Sequence, residues 1–140
     1  LVGSEMCIRD RTRMFRDGKK ASLVEGSEGA ELDENIPYDP ERDIKFRKFV
    51  PSAFFGTDLA KILRERGVEN VLVCGVKTNV CCRATATDAS AYRFRTYMIS
   101  DMLGTNTKEI NDFHLAEMTK YFAKAISSDE VCERLKNGAF

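Results

Sequence analysis

The sequence predicts an α/β protein of three layers, in which helices cover both faces of a mostly parallel, Rossmann-like sheet. Apolar runs of strand length alternate with helical patterns of ten or more residues, which is typical of βαβ units. The run Val71–Cys74 is apolar without alternation, as expected for a strand that is buried on both faces. Only four strands are evident. We therefore expect the first strand or strands of the sheet to be missing.

The composition excludes several classes of protein. The 140 residues carry 22 basic and 22 acidic side chains, so neither a nucleic-acid surface nor an acidic tail is indicated. No apolar run approaches the roughly 18 residues of a membrane span, and no signal-peptide core is visible. The five cysteines are odd in number and lack CxxC spacing. This pattern favours reduced thiols in a cytoplasmic protein.

The first residues differ in character from the rest. Leu1–Arg11 has no usable periodicity, and its MCIRD core looks like the translation of a sequencing-library adaptor. We expect residues 1–11 to be a non-native segment outside the fold and residues 12–140 to form one partial domain. The polar stretch 12–42 indicates loops around one short helical turn near Ala30–Leu32.

Lys48 stands out in the first predicted strand. Asp43–Val50 alternates, so that Ile44, Phe46 and Lys48 share the face that should point to the core. One interpretation is a lysine near a strand end that extends to water. The other is a partly buried ammonium at the carboxyl edge of the sheet, where ligands bind in open α/β sheets.

The remaining elements follow from capping and periodicity. The pattern predicts further helices and strands in this order: a helix capped by Thr57 and stopped at Gly67, a strand Thr96–Ser100 ending at Asp101, a helix with Ile110, Phe113, His114, Met118 and Tyr121 on one stripe, a strand Ala123–Ser127, and a final helix. The S-x-x-E sequence Ser127–Glu130 is a capping box that opens the final helix.

Cys81 follows the buried strand and a tight turn at Gly75. Thr78 and Asn79 are capping residues, and Val80–Tyr92 lacks Pro and Gly, so a helix should begin there with Cys81 in its first turn. A helix N-terminus lowers the pKa of a thiol, which favours a nucleophilic thiolate. A small buried core cysteine is the alternative.

Lys48 and Cys81 are both predicted at the carboxyl edge of a parallel sheet. We therefore expect them to face the same crevice. A nearby ammonium favours the thiolate form of a cysteine, which makes the pairing chemically sensible.

At these residues the sequence resembles the isochorismatase-like cysteine hydrolase superfamily. The similarity lies in Lys48-x-x-x-Ser52 with the following AFFGTDL, in GVKTNVCC at 75–82, and in the stretch from Thr85 to Ala89. It extends from about Gly26 to Leu135, and within the superfamily the TNVCC form is most similar to ureidoacrylate and N-carbamoyl amidohydrolases. Residues 12–140 are thus identified as a partial isochorismatase-like hydrolase domain.

The resemblance implies a reaction and a set of residues. Cys81 would attack the carbonyl carbon of a small amide, ureido or carbamoyl compound to form a thioester, and Lys48 would hold the thiolate and transfer protons. The N–H groups of Cys81 and Lys77 would form the oxyanion hole, with a cis peptide between Val76 and Lys77. Phe54 and Asn79 are the candidates for substrate binding.

The resemblance also implies what is not needed. No cofactor is expected, and the single His114 cannot form a zinc site, so we expect no metal and assign His114 to packing or an interface. The full-length family member is expected to be a homo-oligomer that binds neither nucleic acid nor membrane.

One part of the family pattern is absent. The family's catalytic Asp ends the first strand in a hydrophobic-Asp-x-Gln motif, and nothing before Lys48 matches it. We therefore expect impaired activity in this chain. Two alternatives stay open: a catalytically silent fragment that only associates with other subunits, and a vinyl-ether hydrolase of the isochorismatase kind. The sequence does not identify the substrate.

Overall fold

The chain forms an α/β structure of two compact units. The computed structural model describes residues 2–6, 28, 31, 32 and 34–140. The first unit consists of Leu1–Val50 with Phe55–Thr57, and the second of Pro51–Phe54 with Asp58–Phe140. Each unit contains a sheet, and the strands of both sheets are parallel, as the sequence predicts for the sheet of this fold. Their division between two units was not predicted.

The first unit holds a two-stranded sheet. Strand β1 (Val2–Met6) pairs with β2 (Ile44–Lys48) in parallel, with Val2 opposite Ile44 and Met6 opposite Lys48. A strand thus precedes β2, where the sequence shows no usable periodicity. The non-native origin of residues 1–11 and the partial domain 12–140 stay predictions. A strand edge pairs through its backbone N–H and C=O groups, which requires no periodicity of the side chains.

The alternation in β2 gives the faces that the sequence predicts. Lys45 and Arg47 are exposed, Ile44 and Phe46 are half-buried, and Lys48 is only 4% exposed. The Lys48 ammonium donates a hydrogen bond to the Val50 carbonyl over 3.2 Å. Lys48 is thus the buried ammonium of the second interpretation. Part of the helical turn predicted near Ala30–Leu32 lies outside the described residues.

The second unit contains the longer sheet. Strands β3 (Asn70–Val76), β4 (Arg95–Gly104) and β5 (Lys124–Ile126) lie parallel in the order β3-β4-β5. Its helices are α1 (Leu59–Glu65), α2 (Arg83–Ala91), α3 (Lys108–Tyr121) and α4 (Ser128–Lys136). A π-helical turn, Thr78–Cys82, connects β3 to α2.

Helices cover both faces of this sheet. On one face, side chains from the sheet, α2 and α3 form a buried cluster: Val73, Cys82, Ala86, Met98, Met118 and Ala123. On the other face, Tyr97, Ile99 and Ile126 pack with Val131 of α4. Met98 is completely buried, and burial of a side chain of its size contributes about 1.5–3 kcal/mol. The three-layer arrangement is thus present in the second unit.

The buried stripe of α3 differs from the predicted one. Met118 is buried, but Phe113 and Tyr121 are exposed, so those two do not face the core. Leu115 and Phe122 pack on the core instead, together with Met118. The side of α3 that faces the sheet therefore includes Leu115 and lies about one residue around the helix from the predicted stripe.

The pairing of β4 with β3 shifts in register, and the extra residues of β4 include one that bonds to the start of α4. Val73 lies opposite Met98, but Gly75 lies opposite Leu103, so β4 carries extra residues at this point. Gly75 has φ 109°, a conformation that L side chains rarely adopt. Among the extra residues, Asp101 accepts hydrogen bonds from the backbone N–H of Ser128 over 2.8 Å and from its hydroxyl over 2.5 Å.

The start of α4 is capped as predicted. The Ser127 hydroxyl oxygen accepts the Glu130 N–H over 3.1 Å, and Ser127 is the N-cap residue. The Glu130 carboxylate accepts hydrogen bonds from Arg134, one turn further along the helix. This cap depends only on residues within one turn of each other, which is why the sequence reveals it.

The loop Pro51–Phe54 is fastened to α2. The buried Ser52 donates a short hydrogen bond to the Asp88 carboxylate, and its oxygen accepts the Phe54 N–H over 3.1 Å. The Ala53 N–H donates to the Thr85 hydroxyl oxygen over 3.1 Å. These bonds join the two sequence motifs from which the family resemblance was drawn.

Within the described ranges, no helix has both the length and the apolar character needed to cross a membrane.

The contact between Asp101 and Ser128 should make stability depend on pH. The two Ser128 hydrogen bonds hold the pKa of Asp101 below its ordinary value. A carboxyl whose pKa is lower in the folded than in the unfolded state stabilises the fold above its unfolded pKa of about 3.9. That contribution is lost as the pH falls from about 4 through the lowered pKa of Asp101.

We therefore expect Asp101→Asn to lower the thermal unfolding midpoint at pH 7, and this difference from the wild type to shrink as the pH falls below about 4. Asp129→Asn is the matched control, because it removes the same charge from the first turn of α4. An equal effect of the two substitutions would contradict the role of the Asp101 hydrogen bonds.

Candidate active site

Cys81 lies in the π-helical turn that follows β3. The carbonyl of Lys77 accepts the N–H groups of both Val80 and Cys82, each over 3.1 Å. The second bond spans five residues, which defines a π turn and widens the backbone by one residue. The prediction that Cys81 lies in the first turn of an α-helix is corrected accordingly, since α2 begins only at Arg83.

The turn separates the two adjacent cysteines. Cys82 is 4% exposed, belongs to the core cluster under α2 and α3, and has its sulfur 3.8 Å from the Cys74 carbonyl oxygen. Cys81 is half-buried and is not a member of that cluster. Cys82 is thus a buried core cysteine, whereas Cys81 is not fully buried, and the nucleophilic role of Cys81 stays a prediction. Cys81 retains partial access to solvent, which a nucleophile requires.

Three consecutive residues attach this turn to the segment that follows β4. The Lys77 ammonium donates to Asn106 over 2.7 Å, and the Asn79 amide oxygen accepts from the Thr105 hydroxyl over 2.6 Å. Thr78, which is completely buried, donates to the Asn111 amide oxygen over 2.5 Å. The carboxyl ends of β3 and β4 thus meet through side chains.

The strand ends also approach each other closely. Val76 pairs with Gly104, and a side chain at Gly104 would come within 3.3 Å of the Val76 methyl group. The peptide bond between Val76 and Lys77 is cis, at the position where the family resemblance places one. The contribution of the Lys77 N–H to an oxyanion hole stays a prediction.

Lys48 and the two candidate substrate-binding residues have defined surroundings. Lys48 belongs to the first unit and Cys81 to the second, and their pairing stays a prediction. Phe54 is 1% exposed and packs against the rings of Tyr92 and Phe94, with centroids 5.6 and 5.8 Å away. This is a core environment, so the structure adds no support for Phe54 as a substrate contact. The substrate-binding role of Asn79 likewise stays a prediction.

One polar cluster beside the turn was not predicted. Arg83 donates from one guanidinium nitrogen to the ring Nδ1 of His114 over 2.8 Å and forms a short ion pair with Glu117. The hydrogen bond from Arg83 holds the pKa of Glu117 below its ordinary value. His114 thus links α3 to Arg83 of α2. The spacing of His114 and Glu117, three residues apart on one helix, was the signal available in the sequence.

The described residues offer little for a metal. Among residues 2–6, 28, 31, 32 and 34–140, no three His, Cys, Asp or Glu side chains are grouped so that they could hold an ion. An open cavity of about 440 Å³ lies at the amino ends of β4 and β5, between residues 94–97 and 119–124. The π turn lies at the opposite end of the sheet, so this cavity is not the site of Cys81.

Comparison with known proteins places the chain in a family. The Isochorismatase domain family matches residues 6–130. Maleamate amidohydrolase of Pseudomonas putida is 28% identical over 139 residues, which cover 93% of this chain and 64% of that protein. The chain thus spans just under two thirds of the length of this relative.

Solved structures share the fold. An isochorismatase-like hydrolase from Alkaliphilus metalliredigens superposes with a TM-score of 0.86 at 30% identity, covering 96% of this chain and 72% of that one. N-carbamoylsarcosine amidase from Thermoplasma acidophilum gives a TM-score of 0.77 at 25% identity, covering 91% and 72% of the two chains. Because the domain family matches most of the sequence, the chain belongs to the isochorismatase family.

Proposed function

We propose that the protein hydrolyses a C–N bond in a small amide, ureido or carbamoyl compound through a thioester on Cys81. The observation that carries this proposal is the π turn, in which Cys81 is half-buried at the carboxyl end of β3 while Cys82 is buried in the core. The names of two relatives, a maleamate amidohydrolase and an N-carbamoylsarcosine amidase, support an amide or carbamoyl group as the target.

The proposed reaction has two steps. The Cys81 thiolate attacks the carbonyl carbon, and the C–N bond breaks as the nitrogen gains a proton and leaves as ammonia or an amine. Water then cleaves the thioester, which returns the thiol and releases the acid. In this proposal, the N–H groups of Cys81 and Lys77 stabilise the developing oxyanion, and the positive charge of Lys48 favours the thiolate.

The absence of the family's Asp pattern before Lys48 limits the expected rate. A positioned general acid or base typically contributes 10²- to 10⁴-fold, so we propose that this chain forms the thioester but turns over slowly. We further propose that the protein acts in the cytoplasm, where its exposed thiols Cys74 and Cys132 would stay reduced, and that it assembles as a homo-oligomer.

Thiol labelling tests the nucleophile. Exposure alone predicts that iodoacetamide alkylates Cys74 and Cys132 before the half-buried Cys81. Activation predicts the reverse order, because the thiolate is the reacting species. We expect tandem mass spectrometry to show Cys81 modified at least about tenfold faster than Cys132.

Cys82→Ala is the matched control and should leave the labelling of Cys81 within about twofold, since Cys82 belongs to the core. Labelling that follows the order of exposure would reject Cys81 as an activated thiol.

Hydrolysis separates the proposed function from its two rivals. With a panel of small primary amides, ureido acids and carbamoyl amino acids, we expect slow release of ammonia that Cys81→Ala abolishes and Cys82→Ala retains. A silent fragment would release none from the wild type. A vinyl-ether hydrolase would cleave a vinyl ether in the Cys81→Ala variant as fast as in the wild type.

Substitution of Lys48 tests its assigned role. Removing the buried charge in Lys48→Gln should slow alkylation of Cys81 by about tenfold, because a neighbouring cation stabilises the thiolate. Lys45→Gln is the matched control, since Lys45 lies on the exposed face of the same strand. Equal rates in the two variants, with both shown to be folded by circular dichroism, would remove Lys48 from the mechanism.

A further inference from the structure

Thr78 links the π turn to α3 from a completely buried side chain. Of the three residues 77–79 whose side chains bond to the segment after β4, Lys77 is exposed and Asn79 is half-buried. Thr78 alone is completely shielded from solvent. A buried hydroxyl that loses its partner is left with the full cost of its desolvation, so the bond from Thr78 to Asn111 is the strongest constraint among the three.

This bond acts at the point where the turn begins. Thr78 is the first residue of the π turn, and the carbonyl that precedes it, that of Lys77, accepts the N–H groups of Val80 and Cys82. Asn111 lies in the first turn of α3, a helix anchored to the sheet by the buried Met118. The bond therefore fixes the orientation of the turn relative to a helix that cannot move independently of the core.

We propose that Thr78 and Asn111 form a positioning pair that holds the π turn in the orientation in which the Cys81 thiol reacts. This inference rests on the proposed function of Cys81. In this proposal, their effect passes through the backbone of the turn. A displacement of about 1 Å at a reacting group can lower the rate 10²-fold, so a rotation of the turn would slow the reaction of the Cys81 sulfur.

The test measures alkylation of Cys81 by iodoacetamide in Thr78→Val, Thr78→Ser and Asn111→Ala. Thr78→Val keeps the shape of the side chain but removes the hydroxyl, Thr78→Ser keeps the hydroxyl, and Asn111→Ala removes the acceptor. Two cysteines of the same molecule serve as internal references. The buried Cys82 reports opening of the turn, and the exposed Cys132 on α4 reports the intrinsic rate of a thiol.

We expect Thr78→Val and Asn111→Ala to slow alkylation of Cys81 about tenfold, with Cys82 still protected and Cys132 unchanged. Thr78→Ser should restore the rate to within about threefold of the wild type. Thr87→Val is the matched control on α2, because Thr87 is exposed and its hydroxyl bonds to the Arg83 carbonyl of its own helix. It should leave all three rates unchanged.

A purely structural role predicts the opposite sign. If the bond only keeps the turn closed, its loss would expose the turn, so that Cys81 reacts faster and Cys82 becomes reactive. That result, or an unchanged Cys81 rate, would overturn the proposal. If Thr78→Val does not fold, Asn111→Ala decides the question by the same criteria. Failure of the proposed function is recognised separately, since it appears in the wild type as a Cys81 no faster than Cys132.

Discussion

The burial of β4 on both faces is the constraint on which the second unit depends. Its central residues alternate between two cores, with Met98 under α2 and α3 and with Tyr97 and Ile99 under α4. A strand covered in this way requires helices on both sides and parallel neighbours that return by crossover connections. All three strands of this sheet therefore end at one edge, where the backbone must turn into the next helix.

The π turn after β3 lies at that edge. Successive residues of a helical turn point in different directions, about 100° apart in an α-helix, and the wider π turn adds one residue before α2 begins. Cys82 enters the core, and Cys81 remains half-buried beside the edge. The separation of the two thiols thus results from backbone geometry, while their residue type is the same.

Polar side chains at this edge join elements that are distant in sequence. Thr78 and Asn111 are 33 residues apart, Ser52 and Asp88 are 36 apart, and Arg83 lies 31 residues before His114. In each pair, one residue belongs to the π turn that contains Cys81 or to α2, which follows that turn. The surroundings of the candidate nucleophile are therefore held by tertiary hydrogen bonds in addition to the apolar core.

The sequence alone determined the features that depend on residues within one turn or one strand. The apolar run at Val71–Cys74 indicated the strand β3, the alternation in Ile44–Lys48 placed Lys48 on the buried face, and Ser127–Glu130 gave the cap of α4. The expected burial of β3 on both faces is wrong, since Val73 is buried but Val71 and Leu72 are half-buried and Cys74 is exposed. Only the tertiary structure decided which cysteine enters the core, which face of α3 is buried, and that Val2–Met6 forms a strand. The physical reason is that these outcomes depend on the register between strands and on backbone hydrogen bonds offered by distant segments, which local periodicity and capping do not encode.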